Sequence, residues 1–138
     1  MASLIFNRCL EQWAKGTIDF DTDTFKVMLT TSSYTENKDT HDFRDDVTNE
    51  VTGTGYTAGG NTVTVTVTLD TANDRVDISL GGTTWTTSTI TARKAVYYKS
   101  RGGASSADEV IAVNDFGSDV ITSGGTFTLN ASTMRVQN

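Results

Sequence analysis

Three aspartates, Asp19, Asp21 and Asp23, stand at the D-x-D-x-D spacing that opens a calcium-binding loop. Hard divalent cations favour such oxygen-rich clusters. Thr24, however, occupies the place where the loop needs a glycine for its sharp turn, and Thr30 the place of the closing bidentate glutamate. The spacing therefore does not make an EF-hand. A looser calcium site drawn from these carboxylates, or from Asp39, Asp42, Asp45 and Asp46, is the alternative to a solvated acidic loop, and the latter is the expectation.

Gly55 to Thr62 repeats the glycine spacing of a phosphate-binding loop. Asn61 replaces the lysine that reaches the terminal phosphates, and an alternating strand pattern follows where a helix must begin. Gly53 to Ala58 likewise fits a loose G-x-G-x-x-A pattern but lacks its strand-turn-helix context. His41 is the only histidine, and no G-x-S-x-G elbow accompanies it. Cys9, the only cysteine, lies on an apolar stretch where an inert thiol is expected, with no C-x-x-C pair for zinc and no partner for an internal disulfide. Trp85 with Tyr97 and Tyr98 could form a sugar-stacking platform, but such aromatics more often fill a sandwich core or its edge, and alternation puts Tyr97 and Tyr98 on opposite faces so that at most one turns outward. No catalytic residue, metal or cofactor is assigned from these patterns.

The elements that position these residues are mostly extended. In TVTVTVTLD, Val63, Val65, Val67 and Leu69 alternate with threonines, which specifies a strand with one apolar face. Phe25 to Leu29, Arg75 to Leu80, Ile90 to Lys99, Val110 to Phe116, Thr126 to Asn130 and Met134 to Val136 read as further strands, the second forming a hairpin with the first alternating run across Asp70 to Asp74. One helix is expected near the N-terminus, within residues 1–16: Ser3 as cap, Leu10 and Trp13 toward the sheet, and Gly16 as its stop. A polar connection, 32–54, is expected to hold a short helical turn around Asp42 to Val47 and to cover a sheet edge. The pattern predicts a mainly β fold, an antiparallel sandwich or jelly roll in a single domain spanning 1–138. With no proline and twelve glycines, the turns fall to Gly, Asn and Asp.

The net charge of −6 and the scattered Lys and Arg residues disfavour direct binding to a phosphate backbone. No run of eighteen apolar residues and no basic segment leading into an apolar one is present, so neither a membrane span nor a signal peptide is expected.

The segment GTIDFDTDTFKVMLTTSSYT, the following HDFRDDVTNEVTGTGYTAGG, and later TARKAVYYK and VNDFGS resemble small virion structural proteins of tailed bacteriophages. The resemblance implies a non-enzymatic particle component that is assembled in the host cytoplasm and located in the virion. Between head and tail, an acidic β domain without a basic tract suits the outer shell, as a capsid decoration or cement protein that contacts the major capsid protein and bridges capsomers. A tail, connector or fibre-associated protein is the alternative, and a carbohydrate-binding module using Trp85 is a further one. Self-association as a dimer or trimer is expected on general grounds. Met1 to Phe6, Ser32 to Thr54 and open strand edges are the expected contact regions, with Leu4, Ile5, Phe6, Tyr34, Phe43, Val51 and Tyr56 as the interface residues.

Overall fold

The computed structural model describes residues 2–138. A five-stranded antiparallel sheet forms its centre, in the order β1 (Leu4–Ile5), β8 (Val110–Ile121), β7 (Thr91–Lys99), β2 (Phe25–Thr30), β3 (Asn61–Val63). Two smaller antiparallel sheets lie against one face of it. One has the order β10 (Ser132–Gln137), β5 (Arg75–Leu80), β4 (Val65–Asp70), and the other pairs β6 (Thr83–Ser88) with β9 (Gly125–Leu129). The predicted mainly β, sandwich-like architecture with a single α-helix near the N-terminus is the one observed.

Side-chain alternation builds the shared core. Phe25, Val27 and Leu29 of β2, Tyr97 of β7 and Ile111 of β8 meet Ile78 and Leu80 of β5, Met134 of β10, and Trp85, Phe127 and Leu129 of the two-stranded sheet. The reverse face of the central sheet is also apolar: Met28, Val96, Tyr98, Val110 and Val113 pack beneath Phe6 and Tyr34. Tyr97 and Tyr98 are consequently both buried, one on each face, and neither turns outward. A sheet covered on two sides leaves no wet face for alternation to select.

The polar connection supplies much of that second cover. It crosses the reverse face and also pairs along open edges, Asn49 to Val51 beside the end of β2 and Asp42 to Phe43 beside the start of β8, with a 3-10 turn at Arg44–Asp46 inside the segment expected to turn. Isolated bridges Thr30 to Glu50 and Phe43 to Glu109 fasten it to the sheet.

Thr83–Ser88 is a strand where none is expected and β8 runs past Phe116 to Ile121, and two further boundaries differ from the sequence reading. The helix α1 runs only from Asn7 to Ala14, capped by the backbone of Phe6, because Ala2 to Phe6 is drawn into the sheet: the Ser3 N–H donates to Val113 O at 2.8 Å and the Phe6 N–H to Ile111 O at 3.1 Å. Ser3 is not the helix cap; its Oγ accepts the Asp115 N–H instead. The helix rests on Cys9, while Leu10 is exposed and Trp13, partly exposed, meets the sheet only through Phe20, which is edge-on to it and stacked on Phe25 of β2. Gly16 does end the helix at φ 77°, its N–H bonded to Trp13 O. Second, the alternating run breaks at Thr64. Thr64 O accepts the Gly81 N–H at 2.8 Å, and the chain passes there from the central sheet, where β3 pairs with β2, into the smaller one, where β4 pairs with β5.

Candidate interaction surface

The side chains with the chemistry to bind or react are held by one another. Asp19 to Asp23 folds as a tight turn: Asp19 Oδ1 accepts the Asp21 N–H at 2.9 Å and Asp23 Oδ2 accepts the Asp19 N–H at 2.8 Å. Asp23 also pairs with Lys99 at 2.7 Å. Among the described residues no three His, Cys, Asp or Glu side chains gather in a group able to hold a metal. Cys9 is buried, and burial pushes its thiol up to about 12. His41 Nδ1 faces the hydroxyl of buried Tyr34 at 3.0 Å, with the two rings stacked.

The glycine-rich stretch is a packing device. Glu50 Oε1 accepts both the Gly59 N–H and the Tyr56 hydroxyl at 2.7 Å, while Tyr56 Oη accepts the Leu29 N–H at 3.0 Å. Burial raises the Tyr56 phenol well above its usual range. Tyr98 donates its hydroxyl to Gly59 O at 2.5 Å, and its own phenol is raised to about 12, burial being the main cause. Gly60, at φ 70°, sits so close to β2 that a Cβ there would fall 1.8 Å from Val27 O. Backbone contact explains these glycines without a phosphate ligand.

Trp85 is buried, edge-on to Phe127 and tilted against Tyr56, so it fills the core and forms no sugar-stacking platform. The residues read as interface likewise lie mostly inside. Phe6, Tyr34 and Val51 are buried within the chain itself, and in this fold they are core rather than contact surface. Leu4 and Ile5 are half-buried along β8, Phe43 is half-buried under the Arg8 guanidinium, and Tyr56 is half-buried against Trp85. Met1 lies outside the described residues.

The surface that stands out is the three-stranded sheet. Register places three rows of side chains on its inner face: Val65, Leu80 and Ser132; then Val67, Ile78 and Met134; then Leu69, Val76 and Val136. The first row lies over the core, with Leu80 fully buried. The sheet then projects beyond its support, leaving Leu69 69%, Val136 49% and Val67 43% exposed. Beside Val67, a groove of about 560 Å³ opens between the hairpin and Trp13, Ile18 and Phe20. The outer face of the same sheet is polar and braced by ion pairs. Asp70 meets Arg75 at 3.1 Å, Arg75 meets Asp77 at 3.3 Å, and Arg135 meets Asp77 at 2.7 Å.

Alternation in the sequence revealed the apolar face of this hairpin but not that half of it would overhang the core. The projection depends on how far the central sheet extends beneath it, which no single strand encodes. Comparison of the chain with models of known protein families, with curated proteins and with solved structures gives no match.

Proposed function

We propose that this chain is a non-enzymatic structural protein of a bacteriophage virion, a capsid decoration protein that docks on the outer shell and bridges capsomers. The observation that carries the docking part is the projecting apolar row of Leu69, Val76 and Val136, on a body whose aromatic and charged side chains are mostly engaged in internal contacts. Apolar side chains gathered at the free end of a sheet favour a contact surface over scattered exposure. The particle part of the reading is supported by the likeness of the segments between Gly16 and Gly60 to small virion proteins of tailed phages, and the shell by the acidic charge of −6.

The partner on this reading is the major capsid protein and the location is the virion. Electron microscopy of particles carrying the chain tests it, together with a quantified gel band. Density spread over the head, with hundreds of copies per particle, is the expected result. Density confined to the tail or connector, at a few dozen copies or fewer, assigns it to the tail and overturns the shell role.

A further inference from the structure

β4 is the outer strand of its sheet, and among the described residues no strand pairs with its far side. The bond from Gly81 N–H to Thr64 O sets the phase of the β4–β5 ladder. Thr66, Thr68 and Asp70 therefore exchange main-chain bonds with β5, and the N–H and C=O groups of Val65, Val67 and Leu69 face outward.

Open edges are normally blunted by shortness, a bulge, Lys or Pro, or a covering segment. The other edges here follow that rule. β1 has two residues and β3 three, the β6–β9 pair is irregular between Trp85 and Ser88, and β10 is met at Thr133 O by the Ala2 N–H. β4 and β10 each run six residues in unbroken register with neither Lys nor Pro, but β10 carries Arg135 and receives the Ala2 N–H, whereas β4 has no such contact among the described residues.

We propose that this edge pairs antiparallel with the same edge of a second copy, about a two-fold axis at Val67. The inference goes beyond the shell reading and holds whether or not the chain sits on a capsid. In that register Val67 faces its own counterpart, Val65 faces Leu69 of the second copy, and Thr66 faces Thr68. Apolar meets apolar on one face and threonine meets threonine on the other, both favourable cross-strand pairs. Charge is compatible as well: Asp70, the one charged residue of β4, falls opposite Thr64 and is neutralised within its own chain by Arg75. The pairing also continues each row across the axis, so the exposed Leu69, Val76 and Val136 of one copy extend the row of Val65 and Leu80 over the core of the other. Closing the edge buries its open main-chain groups and the flank of Leu69, an interface of the small size that weak contacts have. A concentration-dependent dimer follows.

Sedimentation velocity of the full chain from about 1 μM to about 1 mM tests this across the range such an interface spans. A dimer that grows with concentration is expected. Val67→Lys sets two like charges opposite one another at the axis and is expected to raise the dissociation constant at least about tenfold. Because Val67 is 43% exposed, the circular dichroism and melting of that variant should match the parent. Val67→Cys should oxidise rapidly to a covalent dimer, since directly paired Cα atoms about 5.5 Å apart lie within disulfide range, whereas Val136→Cys should not. Cys9 is buried and silent in that assay. Should Val67→Lys fail to fold, the Val67→Cys crosslink decides. A chain monomeric throughout, a dimer indifferent to Val67→Lys, an uncrosslinked Val67→Cys, or an edge that takes up only a different protein would each overturn the proposal.

Discussion

Arg44 and Asp108 are joined twice: the Arg44 N–H donates to Asp108 O at 2.8 Å, and Arg44 Nε donates to Asp108 Oδ2 at 2.9 Å. The other carboxylate oxygen accepts the Arg101 N–H at 2.8 Å, and the Arg44 guanidinium lies over the Tyr98 ring. This clasp fastens the polar connection to the loop that precedes β8.

Removing the carboxylate strands a largely buried guanidinium. Asp108→Ala is expected to lower unfolding stability by about 3–5 kcal/mol, the usual result of breaking one side of a buried ion pair. Asp108→Asn keeps an acceptor for the Arg101 N–H and should cost less. Urea denaturation of both variants checks the order, and equal losses would show that the charge on Asp108 is not what matters.

Gly60 and Gly102 share a left-handed backbone but not their surroundings. At Gly60 an added methyl meets the Val27 carbonyl, while at Gly102, φ 76°, it meets open space. Gly102→Ala should therefore cost about 1–2 kcal/mol, the backbone conformation alone. Gly60→Ala should cost upwards of about 3 kcal/mol, or prevent soluble expression, because main chain has to move. Thermal melts of the pair measure the difference.

Trp85 acts through volume. Its Nε1 has no hydrogen-bond partner among the described residues, so Trp85→Phe sacrifices no bond and should lose only about 1 kcal/mol. Trp85→Ala empties the space between Tyr56 and Phe127 and should lose about 3–5 kcal/mol. Both are read by denaturant titration, and a large loss for the phenylalanine variant would contradict the unbonded indole.

Acid and alkali should each destabilise the fold. The Asn73 side chain and Arg75 hold Asp70 below the usual carboxylate range, and Arg135 does so for Asp77. For Asp115 the Gly117 N–H and Arg93 have the same effect. Burial opposes ionisation at Asp46, but the N–H groups of Phe43 and Asp42 outweigh it. A depressed folded-state value contributes stability above the unfolded value and loses it as pH falls through the folded one. The melting temperature should thus hold down to about pH 4 and drop below it, near the ordinary carboxylate value. At the other limb, burial raises Cys9, Tyr56 and Tyr98, so their contribution is complete below their unfolded values and fades as pH rises past about 9 to 10. Melting curves from pH 2 to 11 test both limbs, and Asp77→Asn should flatten the acidic one.

Strands whose two faces differ were legible from residue types alone. Arg75 to Leu80 begins and ends where alternation places it, and Phe25, Val27 and Leu29 share a face as their spacing requires. Alternation falters where both faces are covered, as at Tyr97 and Tyr98, and where one run serves two sheets, as at Thr64. The N-terminal segment failed for a different reason. Ser3 to Phe6 has helical spacing, yet the open main chain of β8 captures it, a tertiary effect that outweighs local preference. Tyr34 and Val51 stand in a polar stretch that suggests surface, whereas each inserts a single ring or branch into the core. The overhang that exposes Leu69 and Val136 has no local signature either, since it depends on where the underlying sheet stops.

β7 lies between β2 and β8 and is covered above and below. Solvent can reach its amide protons only when the whole molecule opens, whereas those at the tip of the β4–β5 hairpin are released by local fraying. Deuterium uptake at Tyr97 then keeps time with global unfolding, uptake at Thr68 with the loosening of one projecting arm, and the same sample carries both clocks.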